Sequence, residues 1–218
     1  MARRINIALL SACLWRIVSL PRYDVAMRLF LVLLSMLLSA AVLVPAQTPA
    51  PAPMTMTVAG FPDGGPIPIK FTQAAPGVPV GEGTSPAISW ANAPAATQSF
   101  FLNMHDMDFA RNKTTDDQAH WVVWNIPASA TGMPEGVPKG AQTPDGAYQI
   151  SATGTMYRGP GAPANGPLHH YVFEIYALDT KLDVKPAADA FESRANVMKA
   201  IQGHILGKAV YGGLFHRP

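Results

Sequence analysis

The 218-residue sequence contains a single cysteine, Cys13. Everything after it can form no intramolecular disulfide and offers neither a thiol nucleophile nor a thiolate metal ligand. Charge is scarce too, at 14% of residues. Five basic residues (Arg3, Arg4, Arg16, Arg22 and Arg28) and one acid (Asp24) precede residue 47, and from Gln47 onward 11 basic residues stand against 13 acidic ones, a net charge of −2. Such a body has no basic stripe to neutralise a phosphate backbone and no aromatic–basic interleaving, which argues against nucleic acid as a partner. The G-x-S-x-G elbow, the H-E-x-x-H helix and the phosphate-binding glycine loop are all missing, and with them the common signatures of hydrolases and nucleotide enzymes. Internal repeats, heptads and long charge runs are absent as well.

Hydrophobic residues reach 49%, which excludes a solvated disordered chain, while 21 prolines and 18 glycines are too many for a helix bundle. The length suits one domain plus tails. At the N-terminal end Arg28 is followed by an apolar run over residues 29–44 and then Pro45-Ala46-Gln47. This is a secretory signal layout, with small residues Val44 and Ala46 at −3 and −1 of a cut before Gln47. The run is short for a membrane span of about 20 residues, so cleavage is favoured over anchoring and no span is expected in the mature protein. Met27, just before Arg28, offers an alternative start. Leu10-Ser11-Ala12-Cys13 resembles a lipoprotein acylation box, but the apolar stretch before it is very short; lipidation of Cys13 or an uncleaved leader is the tethered alternative to a periplasmic or secreted protein. The expected organisation is therefore a signal region (1–46), a Pro/Ala spacer (47–53) and one domain (54–218).

Short segments bounded by Gly, Pro, Asn or Asp predict strands at 55–61, 67–71, 88–90, 100–108, 120–126, 148–153, 169–179 and 208–215. Apolar residues at three- and four-residue spacing predict one helix near 189–204, packed outside the sheets. The fold class is mainly β, an antiparallel β-sandwich with one or a few peripheral helices. Side chains alternate between the faces of a strand. Phe100, Leu102 and Met104 therefore share a face with Asp106 and Asp108; Val122, Trp124 and Ile126 with His120; and Tyr171, Phe173 and Ile175 with His169. Each row is apolar and carries titratable groups at one end. If the ends meet they form a polar pocket at the rim of a core, which costs enough in desolvation to mark either a hydrogen-bonded network or a site.

Five ordered motifs carry a family resemblance. Gly81-Glu82-Gly83-Thr84-Ser85-Pro86-Ala87-Ile88-Ser89-Trp90 resembles G-E-N-x-S-P-x-x-S-W, and Asp106-Met107-Asp108-Phe109-Ala110 resembles D-P-D-A-P. His120-Trp121-Val122-Val123-Trp124-Asn125-Ile126-Pro127 is close to H-W-V-V-x-N-I-P. Tyr157-Arg158-Gly159-Pro160-Gly161-Ala162-Pro163 with His169-His170-Tyr171 is similar to Y-x-G-P-x-P-P and H-R-Y. His204-Ile205-Leu206-Gly207-Lys208-Ala209 and Gly213-Leu214-Phe215 resemble the closing G-H-x-L-x-K-A and G-L-Y. On these motifs the chain is identified as a member of the phosphatidylethanolamine-binding family, in its bacterial Raf-kinase-inhibitor-like branch.

The resemblance implies a β-sandwich with a small cavity for phosphate-like anions, phospholipid head groups included, formed by Asp106, Asp108, His120, His169 and Tyr171, with Gly159 and Pro160 in the bordering loop. Departures stand at Met107 and Ala110, where the pattern has prolines, at Ala162 for a proline and at His170 for an arginine. In this reading His120 and His169 donate to the anion, an aspartate holds an imidazole charged, and the Tyr171 hydroxyl donates too. No catalytic residue, metal or cofactor is expected. Two alternatives stay open: an inhibitor or interaction protein acting on a partner through surface loops such as 128–146, and a metal-dependent hydrolase built on two histidines and a carboxylate.

Overall fold

The computed structural model describes residues 51–218 together with 24–27, 30 and 33. The chain divides into two compact units, Met1–Ala50 and Pro51–Pro218. The apolar run of the leader (but for residues 30 and 33), its cut before Gln47, and Cys13 lie outside the described residues. Among the described residues no helix is long and apolar enough to cross a membrane.

The second unit is mainly β with few helices. Strands β1 (Thr55–Val58), β3 (Ile88–Ala91) and β6 (Gly132–Met133) form an antiparallel three-stranded sheet in the order β1-β3-β6. The other strands are β2 (Gly65–Pro66), β4 (Ser99–Asp106), β5 (Gln118–Pro127), β7 (Tyr148–Ile150), β8 (His169–Leu178) and β9 (Ile205–Phe215). They form a six-stranded sheet in the order β2-β9-β8-β4-β5-β7. That sheet is mixed, not purely antiparallel as expected, because β2 runs parallel to β9 with Gly65 opposite Gly213. The strand expected at 67–71 is replaced by this two-residue pairing and a 3-10 turn at Ile69–Phe71. Pro66 and Pro68 explain the loss, since neither can donate to a ladder. Strand β6, hidden in what reads as a proline-glycine loop, is also new; it lies so close to β3 that a side chain at Gly132 would collide with the Ile88 carbonyl oxygen.

Residues of both sheets share one apolar core: Met56, Val58, Ile88 and Trp90 meet Phe100, Leu102, Met104, Trp121, Phe173 and Ile175. The six-stranded sheet is covered on its other face as well. There Phe101, Val122, Trp124, Tyr176 and Leu178 pack against Val197 and Ile201 around helix α1 (Ala190–Ala200). Asp189 caps α1 by accepting from the Phe191 and Glu192 amides at 2.8 and 2.9 Å. The helix is shorter than the expected 189–204 because residues 201–204 form a turn with Gly203 at φ 82°.

Two bulges in β5 decide which residues reach the inner core. Met104 faces Trp121 and His105 faces Ala119, so His120 is an extra residue without an opposite number. A second extra residue, Asn125 at φ 60°, falls between Ile126 (opposite Phe100) and Trp124 (opposite Phe101). Simple alternation over 120–126 therefore fails: Trp121, Val123 and Ile126 enter the core between the sheets, while Val122 and Trp124 face α1.

Polar groups also hold the helix-covered face. His105 Nδ1 pairs with Asp117, which also takes Arg194 of α1, and His105 Nε2 stands 3.5 Å from Glu174, itself bound to Lys208 at 2.5 Å. Burial alone would lower the His105 pKa, but the bonds to Asp117 and Glu174 outweigh it and raise it to about 9. A raised folded-state pKa gives stability that is full below the unfolded value of about 6.5 and lost as pH climbs toward 9. Melting curves at pH 6.5 and 9 should show wild type losing about 3 kcal/mol and His105→Gln much less; equal slopes would detach His105 from the network.

Candidate functional site

The chemistry converges on a cavity of about 150 Å³ where β4 ends and β8 begins. Asp106 is the last residue of β4 and lies opposite Tyr171 of β8, so strand register alone sets these two side by side. His169, two residues earlier on the same face, places Nδ1 2.8 Å from Asp106 Oδ2. That pairing satisfies a carboxylate whose side chain is only 6% exposed.

His120 arrives from β5 through the bulge. Its Nδ1 lies 2.9 Å from the Arg158 carbonyl oxygen, while the Arg158 amide donates to the His120 carbonyl at 3.0 Å. A carbonyl only accepts, so Nδ1 carries the proton and Nε2 keeps its lone pair. The ring is 2% exposed and meets Tyr171 edge-on, centroids 5.1 Å apart. Burial pushes its pKa down to about 4 against the opposing bond to Arg158. Burial thus favours a neutral ring with Nε2 as an acceptor over the charged donor expected for His120.

Tyr171 is fully buried, and its hydroxyl oxygen accepts from the Gly161 and Ala162 amides at 3.2 and 3.1 Å. Burial and the neighbouring Asp106 charge raise its pKa, which keeps the hydroxyl proton in place as a donor.

Of the seven residues proposed from sequence, the structure brings Asp106, His120, His169 and Tyr171 to the cavity. The other three are neighbours in supporting positions. Asp108 stands at the surface, accepting from the His170 amide at 2.6 Å and lying 2.9 Å from its Nδ1. Gly159 approaches the chain itself rather than a ligand: a side chain there would sit 2.8 Å from the Phe71 carbonyl oxygen. Pro160 accepts from the Gln73 amide at 2.9 Å, and the Gln73 side chain donates to the Gly159 carbonyl at 2.7 Å, so the bordering loop is strapped to the 3-10 turn region.

Sequence reasoning missed Arg158, Gln73, Gln118 and Phe109, all of which line the cavity. Arg158 sits in the variable position of the Tyr157-Arg158-Gly159-Pro160 motif, where a lone cation in a glycine-proline loop was the available signal. It forms no ion pair among the described residues, its Nε is buried without a hydrogen-bond partner, and burial lowers its pKa. A larger shallow groove of about 810 Å³ lies between residues 51–54, 92–95 and 206–208, but its only cation, Lys208, is already bound by Glu174. Among the described residues no three His, Cys, Asp or Glu side chains gather to hold a metal.

His120 makes a pH prediction. Its folded-state pKa is depressed, so acidification from about 6.5 toward 4 protonates the unfolded chain first and destabilises the fold by about 3 kcal/mol. Wild type should lose that much between the two pH values in denaturant titrations and His120→Asn less; a wild-type stability flat over this window would show that His120 is not held neutral.

The family model for phosphatidylethanolamine-binding protein matches residues 57–216. A UPF0098 protein of Methanothermobacter thermautotrophicus is 39% identical over 166 residues, 75% of this chain and 99% of that protein. The Mycobacterium tuberculosis protein named "Putative lipoprotein LppC" is 30% identical over 167 residues, 75% of each chain. The crystal structure of Escherichia coli YbcL, described as a member of the mammalian phosphatidylethanolamine-binding family, has the same fold at a TM-score of 0.62 with 23% identity, covering 77% of this chain and all of YbcL. A family match over most of the second unit, with the expected motifs in order, leads to one conclusion: this chain belongs to the phosphatidylethanolamine-binding protein family.

Proposed function

We propose that the chain is a non-enzymatic binding protein of the cell envelope whose pocket takes a small phosphate-type anion, a phospholipid head group among them. The observation that carries this reading is Arg158. A guanidinium has five N–H donors and no acceptor, and here it lines the cavity with its Nε unpartnered and with no ion pair among the described residues. Asp106 is already engaged by Nδ1 of His169 at 2.8 Å, which occupies one of its oxygens. The Tyr171 hydroxyl adds a donor. Nε2 of His120 supplies an acceptor for a P–OH group or for the ammonium of an ethanolamine head group. Two sheets sharing one core support the sandwich scaffold that would hold these groups rigidly.

Isothermal titration of wild type and Arg158→Gln with inorganic phosphate and O-phosphorylethanolamine tests the site. Loss of a charge-assisted bond of about 1.5–3 kcal/mol should weaken binding roughly 10- to 100-fold. The melting temperature should change little, since Arg158 is only half-buried and unpaired. Equal affinity of the two proteins, or no wild-type binding, rejects the reading.

Export rests on the leader layout of residues 28–46 and on the likeness to the mycobacterial protein. Mass spectrometry of protein from its own host should find a chain beginning at Gln47 in the envelope or medium; an intact chain in the cytosol rejects export, and an acylated Cys13 would establish the tethered form.

A further inference from the structure

A second cavity, of about 210 Å³, lies on the helix-covered face of the six-stranded sheet. Asn103 and His105 of β4 line it, and alternation along that strand turns both away from Asp106 and the anion pocket. Glu174 of β8, opposite Asn103 in register, reaches it from the neighbouring strand. Arg194 and Met198 of α1 form a wall, and residues 115–117, in the loop that leads into β5, form the rim. That loop is clamped to the helix. The Arg111 guanidinium lies 3.5 Å from the ring centroid of Phe191, and Arg194 binds the Asp117 carboxylate and, at 3.0 Å, its carbonyl. The walls are therefore positioned before anything enters.

Two of the four buried side-chain polar atoms without a hydrogen bond among the described residues belong to this cavity. One is an acceptor, Oδ1 of Asn103, a residue only 4% exposed. Its Nδ2 donates to Glu174 Oε2 at 3.2 Å, which fixes the amide, since a carboxylate requires the NH2 and not the carbonyl. The other is Nε2 of His105. Nδ1 of that ring pairs with Asp117, and Nε2 lies 3.5 Å from the same Glu174 oxygen, within ion-pair reach but without a hydrogen bond. With a carboxylate on each side the imidazole is protonated, so Nε2–H is a free donor. An orphan acceptor and an orphan donor thus flank one carboxylate oxygen, each carrying a desolvation cost that a fold normally relieves with a partner.

Charge selects the partner. His105, Arg194 and Lys208, which donates to Glu174 at 2.5 Å, stand against Asp116, Asp117 and Glu174. These charges cancel, so an entering ammonium meets His105 and Arg194 while an entering anion meets three acids. A hydroxyl brings no charge, and it can donate to Asn103 Oδ1 while accepting from His105 Nε2–H. Further hydroxyls find a partner at the rim, where Asp116 uses its amide on Thr114 at 3.1 Å and its carboxylate binds no described residue. The volume is several times the roughly 30 Å³ that one water occupies in the liquid, which leaves room for a molecule with several hydroxyls.

We propose that this cavity is a second ligand site, separate from the anion pocket, which takes a small neutral polyhydroxyl compound, a sugar or a polyol, with one hydroxyl bridging Asn103 Oδ1 and His105 Nε2.

NMR titration of the isotopically labelled full chain tests it, with glucose and glycerol as hydroxyl probes and ethylamine and acetate as charged comparisons. Glucose or glycerol should shift the Asn103 side-chain amide and the His105 ring saturably, the tighter of the two showing whether a sugar ring or an open chain fits, and the charged probes should bind more weakly than either. Asn103→Leu should weaken this binding about 3- to 10-fold, as expected for one lost hydrogen bond. Affinity for O-phosphorylethanolamine should not change, because Asn103 does not line the anion pocket. Met198→Trp obstructs the cavity without removing a polar group and should abolish the shifts, which keeps the test decisive if Asn103→Leu does not fold. No saturable shift with either hydroxyl probe leaves the cavity to ordered water and overturns the proposal. Tighter binding of ethylamine or acetate overturns it by assigning a charged ligand, and shifts that persist in Met198→Trp overturn it by placing the binding elsewhere.

Discussion

A carboxylate buried at the end of an apolar row is the constraint around which the pocket is built. Asp106 terminates β4 directly beyond Met104 in the core, where an unpaired carboxylate would cost several kcal/mol in desolvation. The fold answers with His169 at 2.8 Å across the β4–β8 pairing. Because Asp106 lies opposite Tyr171 in the same register, one strand pairing positions both the ion pair and the tyrosine, and the hydroxyl in turn holds Gly161 and Ala162 of the bordering loop. Strand register, side-chain pairing and loop position are thus a single cooperative arrangement.

Among the buried polar atoms lining the cavity, Arg158 Nε is left without a partner, and that asymmetry gives the cavity its chemistry. His120 spends its one proton on the Arg158 carbonyl and is kept neutral by burial. Arg158 thereby has its backbone fixed from two sides while its guanidinium stays without a carboxylate. A closed structural network would have paired that guanidinium with Asp106; here Asp106 is paired elsewhere, and a cation faces the opening.

The six-stranded sheet separates this chemistry from a second polar system on its other face. His105, next to Asp106 in β4, points the opposite way into the Asp117–Arg194 and Glu174–Lys208 pairs beside α1. The contrast between the two faces follows from partners. His105 has two carboxylates and is held protonated, with its pKa near 9; His120 has a carbonyl and is held neutral, with its pKa near 4.

From the sequence alone, composition and strand alternation established a mainly β body with one helix on the outside, and the motif order established the family. Parity along β4 and β8 was enough to put Asp106, His169 and Tyr171 on one face, since alternation is a local property of extended backbone. Parity along β5 was not, because the bulge at His120 and the left-handed Asn125 arise from how β5 is matched to β4, and pairing partners are invisible within a single segment. For the same reason only the tertiary structure decided that Asp108 belongs to His170 at the surface, that Gly159 and Pro160 brace the chain itself, and that Arg158 lines the cavity with no ion pair among the described residues. A residue's type is written in the sequence, but its protonation and its free bonding capacity depend on neighbours that are 38 positions away for His120 and 63 for Asp106.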